Sequence, residues 1–205
     1  MTNDPKTLLQ LAGAPPATTD LANAAVVLID AQREYDSGSL PLAGIDVAVA
    51  GAGDLLDAAR AAAVPVIHVL HHGRPGGAVF DPDRGFVLPI AGLEPAADEA
   101  VVVKALPNAF AGTDLQARLA ALGTRNLILA GFMTHMCVSS TARAALDLGL
   151  ACTIVADATA TRDLPAAAGA GIVPAAQVQA AALAALADRF ARIVPDAASL
   201  FPLNA

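Results

Sequence analysis

The sequence predicts an α/β fold, a doubly wound three-layer sandwich of helices around a sheet, and three observations carry that prediction. From residue 24 onward, short branched-aliphatic runs alternate with longer Ala/Leu-rich amphipathic stretches. The short runs are continuously apolar rather than alternating, as strands covered on both faces must be. Repeated strand–helix–strand units close through right-handed crossovers, which puts helices on both faces of a parallel sheet.

The elements follow in order. AAVVLID (24–30) is the first strand candidate, and a helical stretch covers 45–63. VPVIHVL (64–70) is the second strand. Residues 71–99 contain four prolines and five glycines and read as a long loop, a feature that in a compact domain is often functional. AVVVK (100–104) is the third strand, followed by a helix over 112–123 with Thr113 as N-cap and Gly123 past its end. NLILAGF (126–132), a helix over 136–149 stopping at Gly149, CTIVAD (152–157), an Ala-rich helix over 174–190 and ARIV (191–194) complete the series. Residues 1–20 read as an arm that packs on the body or on a partner subunit, and 21–205 as one domain.

Composition narrows the function. Twelve basic against nineteen acidic residues give a formal charge of −7, which argues against a nucleic-acid or anionic-membrane surface, since both need clustered Lys and Arg. Hydrophobic residues make up 56% of the chain, enough for a sizeable core. Alanine accounts for 51 residues, so much of that excess is small-residue packing. Every apolar run is broken well before the length of a membrane span. Two cysteines make no disulfide framework. The N-terminal stretch lacks the basic start and long apolar run of a secretory signal, so a cytoplasmic location is expected.

In doubly wound sheets, ligands bind beyond the carboxyl ends of the strands. The first strand ends at Asp30, the third at Lys104, and the fourth runs into GFMTHMC, with Cys137 opening a helix. A thiol at a helix N-terminus next to a lysine is expected to have a lowered pKa and to act as a nucleophile. Asp30 is placed to take its proton and return it to a leaving amine, and backbone N–H groups at the turn to form an oxyanion hole. Each residue also has a plain reading: Asp30 as a turn residue, Lys104 as a solvated strand end, Cys137 as a small core residue. The three together are much harder to read that way.

The segments VVLIDAQREY (26–35), VVVKALPNAF (101–110), LILAGFMTHMCVSSTARAALDLG (127–149) and TIVADATATRD (153–163) resemble the isochorismatase-like cysteine hydrolases, a group that includes nicotinamidases, carbamoylsarcosine amidases and streptothricin hydrolase. The resemblance implies a six-stranded, mainly parallel sheet, a homo-oligomer (dimer or tetramer), no cofactor, and an Asp30–Lys104–Cys137 catalytic triad. It also implies a cis peptide at Phe132–Met133 and an oxyanion hole formed by the N–H groups of Met133 and Cys137.

Nicotinamidases in this group add a metal site built around an Asp-x-His after the second strand. The comparable HVLHHGRPGG contains no such motif, so no metal is expected at His68, His71 or His72. His71 or His72 instead borders the pocket, His72 being the one we place there. Tyr35, Asn108, Phe110 and His135 are the other pocket candidates, Tyr35 equally readable as packing, and Thr134 and Thr159 are supports of the turn or pocket floor. Cys152 is expected to be an inert core residue, the 174–190 helix a packing surface, and DPDRG (81–85) a lid or intersubunit loop. The expected function is hydrolysis of a C–N bond in a small amide, carbamoyl or cyclic-amide substrate through a thioester. The alternatives are vinyl-ether cleavage of an isochorismate-like compound, which does not need Cys137, and an idle oligomeric scaffold on the same fold.

Overall fold

A computed structural model describes residues 4–15 and 17–201 of the chain. Its first element, α1 (Leu8–Leu11), is a single turn closed by a reciprocal cap between Thr7 and Gln10. The Leu8 N–H donates to Asp188, and the Thr19 hydroxyl meets Thr153 and accepts from Arg192. The described part of the arm is therefore tied to the body.

β1 (Ala24–Ile29), α2 (Ile45–Ala61), β2 (Val66–His71), β3 (Ala100–Lys104), α3 (Leu115–Ala121) and β4 (Asn126–Phe132) follow. A π-helical turn, Thr134–Val138, leads into α4 (Ser139–Asp147). β5 (Ala151–Ala160), the small antiparallel pair β6 (Leu164–Pro165) and β7 (Ile172–Val173), α5 (Ala175–Arg189) and β8 (Arg192–Val194) complete the chain. Six strands form one parallel sheet in the order β3-β2-β1-β4-β5-β8. The chain builds outward from β1 to β3, then crosses back to lay β4 on the other side of β1. The crevice where the order reverses is where such sheets bind ligands.

Strand pleating sorts β1 between two cores. Val26 and Leu28 face a cluster with Leu55, Leu56 and Val155, while Val27 and Ile29 face one with Leu115, Leu119 and Leu186. Both faces are covered, which is why the strand reads as an unbroken apolar run.

The boundaries differ from the sequence expectation in informative places. Cys137 lies inside the π turn rather than opening an α-helix, and α4 begins two residues later. The residue preceding α3 is Asp114, but the Thr113 hydroxyl still accepts from the Leu115 N–H while donating to the Ala109 carbonyl. β2 extends to His71 and β5 to Ala160, each past its predicted end. The 71–99 segment is a loop with one 3-10 turn, Gly85–Val87. Within DPDRG, Asp81 is buried, accepts the Asp83 N–H and pairs with Arg84 at 3.4 Å, so that turn is held by its own side chains.

One glycine is fixed by contact. Gly131 has φ of +104°, and a Cβ there would fall 1.9 Å from the Ile29 carbonyl oxygen across the β1–β4 ladder. No flexible side chain stands there to yield. Gly131→Ala is therefore expected to cost about 3 kcal/mol or more of stability, read as a lower denaturation midpoint. A midpoint equal to that of the parent would contradict this account of the β1–β4 contact.

Candidate active site

Four neighbouring strands deliver one side chain each to the same end of the sheet. Lys104 ends β3, His71 ends β2, Asp30 follows β1 and Cys137 follows β4. Lys104 is not a solvated strand end. Its side chain and that of Asp30 are both 0% exposed, and its Nζ lies 2.7 Å from Asp30 Oδ2. The same ammonium donates to Cys137 Sγ at 3.3 Å and to His71 Nδ1 at 3.0 Å.

The contact with Asp30 is close but not aligned as a hydrogen bond, and both carboxylate oxygens are buried without a hydrogen-bond partner. Burial pushes the Asp30 carboxyl up to about 6, against the pull of Lys104. Asp30 also holds φ of +51°, a left-handed conformation that aspartate adopts more readily than most residues but that still marks strain. Its N–H donates to the Val69 carbonyl and its own carbonyl accepts from Gln32.

The thiol departs from expectation. Burial and the Asp30 charge push Cys137 up to about 12, with Lys104 only partly offsetting them. A lysine and a helix terminus favour the thiolate, but desolvation outweighs both. Cys137 therefore rests as a thiol beside an unsatisfied carboxylate and an ammonium. Moving its proton to Asp30 leaves the net charge of the three groups unchanged, so the transfer creates no uncompensated buried charge.

The turn carrying Cys137 is held by its backbone. The Phe132–Met133 peptide is cis. The Met133 carbonyl accepts from Met136 and Val138, and the buried Thr134 hydroxyl donates to the Ala160 carbonyl, so Thr134 supports the turn.

Among the pocket candidates, His72 is displaced by its neighbour. It uses its backbone N–H to bond the Lys104 carbonyl, while the ring that reaches the ammonium is that of His71. Burial, then Lys104, pushes the His71 imidazole down to about 4, so it is neutral at pH 7. Tyr35 is buried, edge-on to Phe80 and Phe132 at centroid distances of 5.3 and 5.7 Å, which makes it packing beneath the site rather than a wall. Asn108 accepts the Phe110 N–H, and Phe110 leans on the α3-side core. His135 Nδ1 meets the Thr161 hydroxyl at 2.6 Å. Thr159 bonds Gln179 and the Ala156 carbonyl, on the floor of β5. Cys152 is buried in the core and pushed up to about 12 by burial alone.

His68 belongs elsewhere. Its Nε2 lies 2.9 Å from Glu99, which also takes Arg60, so the loop supplies a carboxylate that strand spacing did not show. This cluster flanks a concavity of about 720 Å3 lined by Val64, Val66, Ala100 and Leu122 at the amino-terminal ends of β2 and β3, remote from Cys137. Among the described residues, no group of three or more His, Cys, Asp or Glu side chains is placed to hold a metal.

Three further residues escaped the sequence reading. Gln32, fully buried, accepts the His71 N–H and donates to the His71 and Val87 carbonyls. Glu34 uses its buried carboxylate to take the N–H groups of Ser39 and Phe80. Arg162, just beyond β5, donates to the Asp163 carbonyl, yet its Nε is buried without a partner. No carboxylate lies within ion-pair distance of it among the described residues. Its neighbour in sequence, Thr161, meets His135 of the π turn, which places Arg162 on the side of the site. The signal in the sequence is the TATRD run (159–163), which begins inside a strand that ends three residues later than predicted and carries Arg162 just past that end.

The six-stranded parallel sheet flanked by helices is that of the isochorismatase-like hydrolases. Residues 24–197 match the isochorismatase domain, and the chain belongs to that family. It is similar to an isochorismatase from Pseudomonas putida KT2440 of known crystal structure, with 48% identity, a TM-score of 0.88, and coverage of 96% of this chain and 99% of that one. A secreted isochorismatase effector, Isc1, of Verticillium dahliae is 37% identical over 182 residues, 89% of this chain and 93% of the effector. A streptothricin hydrolase of Streptomyces noursei is 37% identical over 188 residues, 91% of this chain and 74% of the hydrolase. No helix among the described residues is long and apolar enough to cross a membrane.

The electrostatics predict opposite effects of the two charged partners on ionisation of the thiol. Asp30→Asn removes the charge that opposes the thiolate and leaves Lys104 beside it, so the midpoint of Cys137 thiolate formation, followed by its ultraviolet absorbance against pH, should move to lower pH. Lys104→Met should move it to higher pH. A midpoint that rises in Asp30→Asn would contradict this assignment.

Proposed function

We propose that the protein is a cysteine amidohydrolase acting on a small amide or carbamoyl compound, with Asp30, Lys104 and Cys137 as its catalytic groups. The observation that carries this reading is a buried carboxylate with no hydrogen-bond partner beside a thiol, both within reach of one ammonium. Asp30 takes the Cys137 proton as sulfur bonds to the carbonyl carbon. The N–H groups of Met133 and Cys137 receive the developing oxyanion. The C–N bond then breaks, and the amine departs with the proton held by Asp30, leaving a thioester. Asp30 next deprotonates water, which attacks the thioester and releases the acid and the thiol. Lys104 stays beside whichever partner carries the negative charge.

Arg162 supports a substrate with an anionic group. A guanidinium with a buried, unpartnered Nε near the site of an acidic protein fits a carboxylate, which it can bind through two parallel bonds. The likeness to streptothricin hydrolase supports C–N cleavage. A second reading, vinyl-ether cleavage, is favoured by the name of the Verticillium relative. A homo-oligomer would use the bare edge of β3, where Val101, Val103 and Leu106 are exposed.

Ammonia release from a panel of small amides tests the reading. Cys137→Ala should lower turnover by about a thousandfold or more, since no other group can form the thioester. Activity should fall as pH drops through about 6, where Asp30 takes a proton in the resting enzyme. Arg162→Ala should raise KM for carboxylate-bearing amides and spare neutral ones. Cleavage of a vinyl ether that survives Cys137→Ala would favour the second reading.

A further inference from the structure

We propose that His71 is a positioning residue for this reaction, its neutral Nδ1 drawing the Lys104 ammonium out of line with Asp30. The inference rests on the assignment of Asp30 as the base. An ammonium has three N–H donors, and here two of them are directed at His71 Nδ1 and Cys137 Sγ. Asp30 is left with charge but no aligned donor. A carboxylate stabilised by an aligned donor loses proton affinity, so the diversion keeps Asp30 basic enough to take the thiol proton.

The imidazole is held for this task. Gln32 brackets the His71 peptide with a bond to its N–H at 2.8 Å and another to its carbonyl at 3.0 Å, as a neighbouring strand would. Phe80 stands edge-on to the ring, with centroids 4.9 Å apart. Phe80 itself has φ of +51°, a strained conformation for an aromatic residue, and is held there by Glu34 on its N–H and by Gly73 on its carbonyl. The titratable and charged groups around the ring are Lys104 from β3, His72 beside it in sequence, Asp30 and Cys137 beyond the ammonium, and Glu34 behind Phe80. A cation 3.0 Å from Nδ1 requires that nitrogen to present its lone pair, so the ring proton sits on Nε2.

Two substitutions separate this role from simple packing. Asn places its side-chain oxygen near the position of Nδ1, whereas Gln carries its oxygen farther out, toward that of Nε2. In His71→Gln and His71→Ala, Lys104 should turn to Asp30. The acid limb of kcat should then move to lower pH and kcat fall about tenfold to a hundredfold, as for a misplaced catalytic group, with KM changing less than threefold. His71→Asn should recover most of both. The rate of Cys137 alkylation against pH follows the same trio without any substrate: its rise should move to higher pH in His71→Gln and return in His71→Asn. If no amide is turned over by the parent, the amidase reading fails while the alkylation arm still decides the role of His71. Folded His71→Asn and His71→Gln proteins with indistinguishable alkylation profiles would overturn the proposal.

Discussion

The contact between Lys104 and Asp30 is the constraint on which the rest of the site depends. Two fully buried charges are costly to desolvate, and their mutual attraction at 2.7 Å offsets part of that cost. The pairing is nevertheless left incomplete, because the ammonium directs its aligned bonds to a histidine and a thiol. An ion pair built only for stability would align its donors on the carboxylate. This one leaves the carboxylate held by charge and open to a proton, an arrangement that suits the base role proposed for Asp30.

The scaffold explains how so many polar groups come to share one dry place. Parallel strands covered on both faces end together, and the order β3-β2-β1-β4 brings four ends side by side at the point where the chain reverses direction across the sheet. Close approach at Gly131 brings β4 against the end of β1, just before the turn that carries Cys137. The loop after β2 returns through Phe80 and Val87 to close over the same ends, tied down by Glu34 and Gln32. Left-handed backbone at Asp30 and Phe80 shows that this closure carries local strain, held by the packing around it.

Much of this is legible in the sequence, for identifiable reasons. Uninterrupted runs such as AAVVLI and NLILAGF reveal buried parallel strands, and the rule that ligands bind beyond strand ends points to Asp30, Lys104 and Cys137, which the family resemblance then groups as a triad. The His71/His72 assignment turns on a single residue: ending the second strand at Leu70 rather than His71 hides the ring that faces Lys104. Gln32, Glu34 and Phe80 are hidden because their partners lie across a long loop whose path no periodicity encodes. The thiol is misjudged because charge is visible in a sequence and depth is not. Arg162 is hidden by Ala/Thr alternation that disguises the far end of β5 as loop.

The most direct test of the account is the protonation of Asp30 itself. With 13C-labelled aspartate, the carboxyl resonance of Asp30, identified by its loss in Asp30→Asn, can be followed against pH in the resting enzyme. A midpoint near 6, well above the ordinary range of exposed aspartates, is the result expected of a carboxylate whose burial outweighs the pull of Lys104 beside it. A midpoint below about 4 would show Lys104 fully engaged with Asp30, and the carboxylate would then be too weak a base for the role given to it.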